Sequence, residues 1–243
     1  MRNTLKLSVT TLLFTISSTL TASAQDGEWH HYAGDGASTK YNPVSQIDKS
    51  NVTQLKEVWR WNAKATHGDL RGAGTFKTTP LVVDGVMYLT TQYSQVVAIN
   101  PGTGETLWTY DPESYKNGRP ANSGFQHRGV DYWTDGEVGR ILIATGGRQL
   151  ISIDTVTGKP DPAFGDNGIV DLTEGLGKEF SIRNLGFNAP PVVCRDTIIL
   201  GSIVSDGVTT KEMPPGHIRG FDVRTGKQKW IFHTIPQEGE FGN

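Results

Sequence analysis

The apolar positions of this chain fall in short β-branched runs rather than in helical periods. Residues 79–83, 86–91, 95–99 and 105–110 are such runs, each bounded by turn formers. Asp84-Gly85 separates the first two, a hairpin signal because both residues tolerate positive φ. Asn100-Pro101-Gly102-Thr103-Gly104 separates the last two, and Asn, Pro and Gly each supply a different turn preference. The pattern predicts four antiparallel strands within about 32 residues, the size of one propeller blade.

The same pattern recurs twice. Residues 139–145 and 149–154 repeat the second and third strands and run into Asp154-Thr155-Val156-Thr157-Gly158. Residues 191–193, 198–202, 218–223 and 227–232 repeat all four, with the turn at Asp222-Val223-Arg224-Thr225-Gly226. The Asn or Asp opening each turn is expected to bond backbone amides. Trp108 and Trp230 follow the first and third turns, and their indoles are expected to dock on a neighbouring unit with the N–H paired. In the middle copy Pro160 and Pro162 fall where a fourth strand should run. Proline removes a ladder donor, so that strand is expected at an edge or absent. Three copies predict an all-β fold, a β-propeller with about three blades present and its ring not closed. The loop of residues 204–218 inside the third copy is longer than a hairpin needs, and such loops are more often functional than idle.

Composition narrows the setting. The chain has 243 residues, 29 glycines and a formal net charge of −2, which suits a turn-rich β protein. No basic face suggests nucleic acid. Arg2 and Lys6, an apolar stretch over residues 9–20 and Ala22-Ser23-Ala24 together predict a signal peptide at residues 1–24, with export to the periplasm from Gln25 onward. No later apolar run is long enough to span a membrane. Cys194 is the sole cysteine, so no intramolecular disulfide forms, and it is expected as a small buried strand residue. Three repeats fall short of the usual four to eight blades of a closed ring. Residues 25–243 are therefore expected to be the N-terminal part of a longer propeller protein, inactive on their own.

The order of segments resembles the quinoprotein dehydrogenases, which use pyrroloquinoline quinone (PQQ). Trp29-His30-His31-Tyr32-Ala33-Gly34-Asp35 with Thr39-Lys40-Tyr41-Asn42-Pro43 is similar to their opening segment, and Leu55-Lys56-Glu57-Val58-Trp59 to the strand that follows. His127-Arg128-Gly129-Val130, Phe164-Gly165-Asp166-Asn167-Gly168 with Val170-Asp171-Leu172, and Ile218 to Gly226 match in order. The last two segments resemble the glucose-dehydrogenase branch. The methanol branch carries adjacent cysteines where this chain has Asn122 and Ser123. The resemblance implies an eight-bladed propeller with PQQ in its axis over a divalent cation, usually Ca²⁺. It implies oxidation of an alcohol, polyol or aldose sugar, with electrons passed to a quinone or cytochrome.

The resemblance also implies a site. It places the family's PQQ-contacting arginine at Arg128, and a planar guanidinium can hold a carboxylate or polarise a quinone oxygen. His127 beside it is a candidate donor to the cofactor. Asp206 stands where the family offers a carboxylate to the metal, and a hard cation takes oxygen ligands. Ser202 and Ser205 lie where small residues contact the ring. Lys77 departs from the pattern, because many relatives carry a glutamate there, and it is a candidate partner for a PQQ carboxylate. Asn188 stands near a family threonine and can hydrogen-bond the cofactor. The family's catalytic base belongs to a later blade, beyond Asn243.

Other motifs carry less. Gly102-Thr103-Gly104 and Gly72-Ala73-Gly74 lack the βαβ context of a dinucleotide loop. Asp161, Asp166, Asn167 and Asp171 read as turn formers. A non-catalytic propeller of the outer-membrane-assembly type shares the Thr-Gly-x-x-x-Trp turn, but residues 164–172 and the 204–218 loop favour the enzyme reading.

Overall fold

The computed structural model describes residues 27–67, 74–122, 124–177, 179–203, 205–208 and 210–243. The expected leader at 1–24, and Gly72, Ala73, Ser123 and Val204, lie outside the described residues. In chain order the strands are β1 (Thr75–Phe76), β2 (Leu81–Val83), β3 (Val86–Thr90), β4 (Val96–Ile99), β5 (Thr106–Tyr110), β6 (Gln126–His127) and β7 (Asp131–Thr134). They continue as β8 (Gly139–Ala144), β9 (Gln149–Asp154), β10 (Ile169–Asp171), β11 (Val192–Cys194), β12 (Thr197–Gly201), β13 (Ile218–Asp222) and β14 (Gln228–Phe232). Three antiparallel four-stranded sheets result: β2-β3-β4-β5, β7-β8-β9-β10 and β11-β12-β13-β14. These are three propeller blades, and the ring is open.

Each blade is a meander closed by tight turns. Asp84 (φ 50) and Gly85 (φ 72) form the predicted hairpin between β2 and β3. The Thr-Gly turns share one geometry. Asn100, Asp154 and Asp222 each accept two backbone N–H bonds on Oδ1, from Gly102 and Thr103, from Val156 and Thr157, and from Arg224 and Thr225. The closing glycines Gly104, Gly158 and Gly226 have φ of 75, 66 and 70.

The turns are also docking platforms. The Trp59 indole lies on Gly104 and donates to the Pro101 carbonyl at 2.9 Å. Trp108, on β5, lies on Gly158 in the second blade and donates to the Thr155 carbonyl at 3.0 Å. The second blade lacks the tryptophan. Phe164 and Val170 sit against Gly226 instead, and Arg140 Nη1 donates to the Val223 carbonyl at 3.1 Å.

The eroded strand of the second blade has a specific outcome. Pro160 makes only an isolated bridge to Ile153, and the fourth position is filled by β10, which pairs with β9 from Ile169↔Ile151 to Asp171↔Gln149. The strand is displaced past the prolines rather than lost. Asp161, Asp166 and Asp171 serve the intervening turns: Ala163 N–H bonds Asp161 Oδ1, Asp166 N–H bonds the Ile169 carbonyl, and Thr173 N–H bonds Asp171 Oδ1.

The core lies between blades. On β8, Ile141 and Ile143 pack with Leu81, Val96 and Ala98 of the first blade. Their neighbours Leu142 and Ala144 pack with Phe164, Ile198, Leu200 and Phe221 toward the third. Period-2 alternation thus buries both faces of the middle blade. Each such aliphatic side chain contributes roughly 1.5–3 kcal/mol on burial. The third blade is covered on one face among the described residues. Val193 turns inward, while Val192 and Cys194 face out, so Cys194 is exposed rather than buried as its strand position suggested.

Candidate functional site

The site is built from the segments that lead into the three blades. β1 and β6 pair in parallel, Thr75 with Gln126 and Phe76 with His127. The run continues beyond them: Thr79 N–H donates to the Arg128 carbonyl at 2.9 Å, and Arg128 N–H to the Asn188 carbonyl at 2.9 Å. Lys77, Arg128 and Asn188 each follow an equivalent residue, Phe76, His127 and Phe187. They therefore hold one position in three successive blades, and the backbone bonds stitch that position into a collar.

Within the collar Arg128 is half-buried and its Nη1 donates to Asn188 Oδ1 at 3.2 Å. Asn188 is buried, while Lys77 is exposed. Asn188 fixes one of the five guanidinium N–H groups, and among the described residues the rest of the fork is left available. Two cations at neighbouring collar positions suit an anionic ligand.

His127 has a different role from the one its sequence position suggested. Its Nε2 lies 2.9 Å from the Ala144 carbonyl, which can only accept, so Nε2 carries the proton. Nδ1 then accepts from the Thr90 hydroxyl at 3.2 Å and from Gly129 N–H at 3.3 Å. Full burial pushes its pKa down to about 4, which keeps the ring neutral. Neither nitrogen is left for a ligand. The ring instead braces the Arg128-Gly129 backbone between β3 and β8.

The ends of the second strands supply the next group. Thr91, Thr145 and Ser202 are equivalent by repeat. Thr91 closes a tight turn through its N–H to the Gln95 carbonyl (2.9 Å) and its hydroxyl to Gln95 Oε1 (3.0 Å). Thr145 does so through its N–H to the Gln149 carbonyl (2.8 Å), and its hydroxyl accepts from Gln149 N–H (3.3 Å). In the third blade the turn is replaced by the long loop. Ser202 Oγ is left buried with no hydrogen-bond partner among the described residues. A buried hydroxyl without a partner costs about 1–3 kcal/mol. Ile203 N–H bonds the Gly186 carbonyl at 2.8 Å, which pins Ser202 beside the segment leading to Asn188.

Among the described residues no contact draws Ser205 and Asp206 into this group. Ser205 Oγ donates to the Gly207 carbonyl at 3.2 Å, within its own turn. Asp206 is exposed. Among the described residues no cluster of three or more His, Cys, Asp or Glu side chains could hold a metal ion. Asp206 supplies one carboxylate, which is not a cation site by itself.

Two structural residues escaped the sequence. Gln95 is buried and donates to the Thr66 carbonyl (3.1 Å) and Asp111 Oδ2 (2.8 Å). Its recurrence as Gln149 was the available signal. Asp131, buried on β7, accepts Val193 N–H at 2.6 Å and pairs with His31 Nδ1 at 3.3 Å. Nothing local in the sequence marks it.

Comparison with known proteins meets this geometry. A family model described as PQQ glucose/ethanol/alcohol dehydrogenase, β-propeller domain, matches residues 29–243. The chain is 30% identical to quinoprotein glucose dehydrogenase A of Acinetobacter calcoaceticus, over 86% of this chain and 28% of the relative. It is 33% identical to the dehydrogenase subunit of alcohol dehydrogenase (quinone) of Gluconacetobacter polyoxogenes, over 86% of this chain and 26% of the relative. The crystal structure of quinohemoprotein alcohol dehydrogenase from Comamonas testosteroni superposes with a TM-score of 0.70 at 28% identity, covering 89% of this chain and 29% of that one. The chain thus spans less than a third of the length of these relatives. With three blades in register and a match over nearly all of the described residues, the chain belongs to the PQQ-dependent glucose/ethanol/alcohol dehydrogenase β-propeller family.

Proposed function

We propose that this chain contributes three blades and part of the cofactor site to an exported, periplasmic dehydrogenase that oxidises an alcohol, polyol or aldose sugar with PQQ, its electrons passing to a quinone or cytochrome. The names of the relatives, glucose dehydrogenase and alcohol dehydrogenase (quinone), support this substrate range. The observation that carries the reading is the collar. A half-buried guanidinium oriented by Asn188 stands beside Lys77, and a buried serine hydroxyl nearby lacks a partner among the described residues. PQQ is a planar tricarboxylate, and these groups fit it: a fork for a carboxylate or quinone oxygen, an amide, a second cation and one unfilled hydroxyl.

Bound PQQ supplies the ortho-quinone that accepts hydride from the substrate carbon. Arg128 would hold and polarise the cofactor, Asn188 would fix the guanidinium and present its amide, and Ser202 would satisfy its hydroxyl on the ligand. Lys77 would lend long-range charge. Asp206 would give one oxygen ligand to a divalent cation, with the remaining ligands supplied elsewhere. The proton acceptor for the alcohol is not among these residues.

The test is reconstitution of the full-length protein with PQQ and Ca²⁺ and an artificial electron acceptor. The expected result is a perturbed PQQ absorption spectrum and dye reduction with an alcohol or aldose. An unperturbed spectrum and no dye reduction with any such substrate would refute the proposal.

A further inference from the structure

The junction between the first and second blades carries a polar chain behind the collar. Thr78 lies between Lys77 and Thr79, and its Oγ1 accepts Thr90 N–H at 3.1 Å. The Thr78 and Thr90 hydroxyls are 3.2 Å apart. The Thr90 hydroxyl is also 3.2 Å from His127 Nδ1, and His127 Nε2 is 2.9 Å from the Ala144 carbonyl. Thr90 and His127 are both buried.

The chain has a direction. The Ala144 carbonyl only accepts, so the ring proton sits on Nε2 and Nδ1 can only accept. Thr90 has a single hydroxyl proton and gives it to Nδ1. The bond between the two hydroxyls is then made by the Thr78 proton. Each hydroxyl and each ring nitrogen of the chain has a partner, and a satisfied buried network holds its members rigidly.

The chain ends on the backbone of Arg128. The Arg128-Gly129 peptide is held at both its polar atoms: Thr79 N–H donates to its carbonyl at 2.9 Å, and Gly129 N–H donates to His127 Nδ1 at 3.3 Å. The second bond requires an unprotonated Nδ1, the state that the Thr90 and Thr78 hydroxyls support. The next junction has no counterpart. There the residues equivalent to Thr78, Thr90 and His127 are Gly129, Ala144 and Phe187, whose side chains carry no donor or acceptor. An apolar junction thus suffices to join the second and third blades, and the polar chain stands where the arginine is.

We propose, on the reading of the collar as a PQQ site, that Thr78 is a positioning residue for the cofactor: acting through Thr90 and His127, it sets the Arg128 peptide and so aims the guanidinium at PQQ. Its hydroxyl is committed to Thr90, so it acts through the chain rather than by contact.

The experiment measures PQQ dissociation constants of the full-length protein by absorbance titration, with unfolding midpoints alongside, for the parent, Thr78→Val, Thr78→Ser and Thr90→Val. Thr78→Val and Thr90→Val should each weaken PQQ binding about 2–10-fold, the worth of one net hydrogen bond. Thr78→Ser keeps the hydroxyl and should bring affinity back close to that of the parent. NMR of the ¹⁵N-histidine-labelled parent, with the His127 signal assigned by its absence in His127→Phe, should show the Nε2–H tautomer without any PQQ present. Lowered midpoints with unchanged PQQ affinity would make Thr78 a purely structural residue and overturn the inference. Failure of Thr78→Ser to rescue binding, or an Nδ1–H ring in the parent, would overturn it as well. A parent that binds no PQQ would instead refute the collar reading, and this inference with it.

Discussion

Arg140 donates to the carbonyl of Val223 across the junction between the second and third blades, at 3.1 Å, in the place where Trp108 serves Thr155 one junction earlier. The arginine is also ion-paired with Asp161, and both side chains are nearly buried. Removing one partner of a buried pair leaves the other charge uncompensated, at a cost of about 3–5 kcal/mol. Arg140→Ala should therefore destabilise the protein by that amount in urea unfolding. Adding Asp161→Ala should recover part of the loss. Additive losses in the double variant would show that the pair is not coupled.

The Thr-Gly turns make a second prediction. Gly158 has φ 66, and a Cβ there would sit 2.6 Å from the Trp108 ring. Left-handed strain of about 1–2 kcal/mol and overpacking of about 1–3 kcal/mol combine. Gly158→Ala should cost roughly 2–5 kcal/mol and blue- or red-shift the Trp108 emission. Gly85→Ala, at φ 72 but with open space around it, should show the backbone strain alone.

His31 and Asp131 tie the opening segment to the second blade. The hydrogen bond to Asp131 holds the His31 pKa above its ordinary value of 6.5, with Asp35 adding a smaller pull. The folded state therefore binds the proton more tightly than the unfolded one. The stabilisation is fully present below pH 6.5 and is lost as pH rises through the higher folded value. His31→Gln should flatten this part of the stability profile. A profile above pH 6.5 identical to that of the parent would contradict the coupling.

His127 acts in the opposite direction. Its folded pKa is about 4 against an ordinary 6.5, so the unfolded chain takes up the proton first. Stability should fall as pH drops from 6.5 toward 4. Phenylalanine occupies the equivalent position in the other two blades, as Phe76 and Phe187. His127→Phe should remove the acid slope while lowering stability at neutral pH through the lost bonds to Ala144 and Thr90. An unchanged slope would show that another group causes it.

The blades were legible because their signals are local. Asp84-Gly85 and the three Asn/Asp-to-Gly turns set φ and capping within five residues, and the strands between them appear within a residue or two of the predicted bounds. The resemblance implies roles for Arg128, Asn188 and Lys77, but their common collar position emerges only from backbone pairing across blades. The bracing role of His127 is invisible locally, because its partners Thr90 and Ala144 are distant in sequence. The exposure of Cys194 and the substitution of Arg140 for a tryptophan likewise depend on which blade lies alongside.

In the proposed assembly the collar binds PQQ through Arg128. The most direct test is the PQQ dissociation constant of the full-length protein, measured by absorbance titration for the parent, Arg128→Ala and Lys77→Ala. Hydrogen bonds to a charged group are worth about 1.5–3 kcal/mol, so Arg128→Ala should weaken binding about 10–150-fold. Exposed Lys77 should contribute no more than about fivefold. Equal affinities for the two variants would remove Arg128 from the cofactor site and refute the proposed mode of PQQ binding.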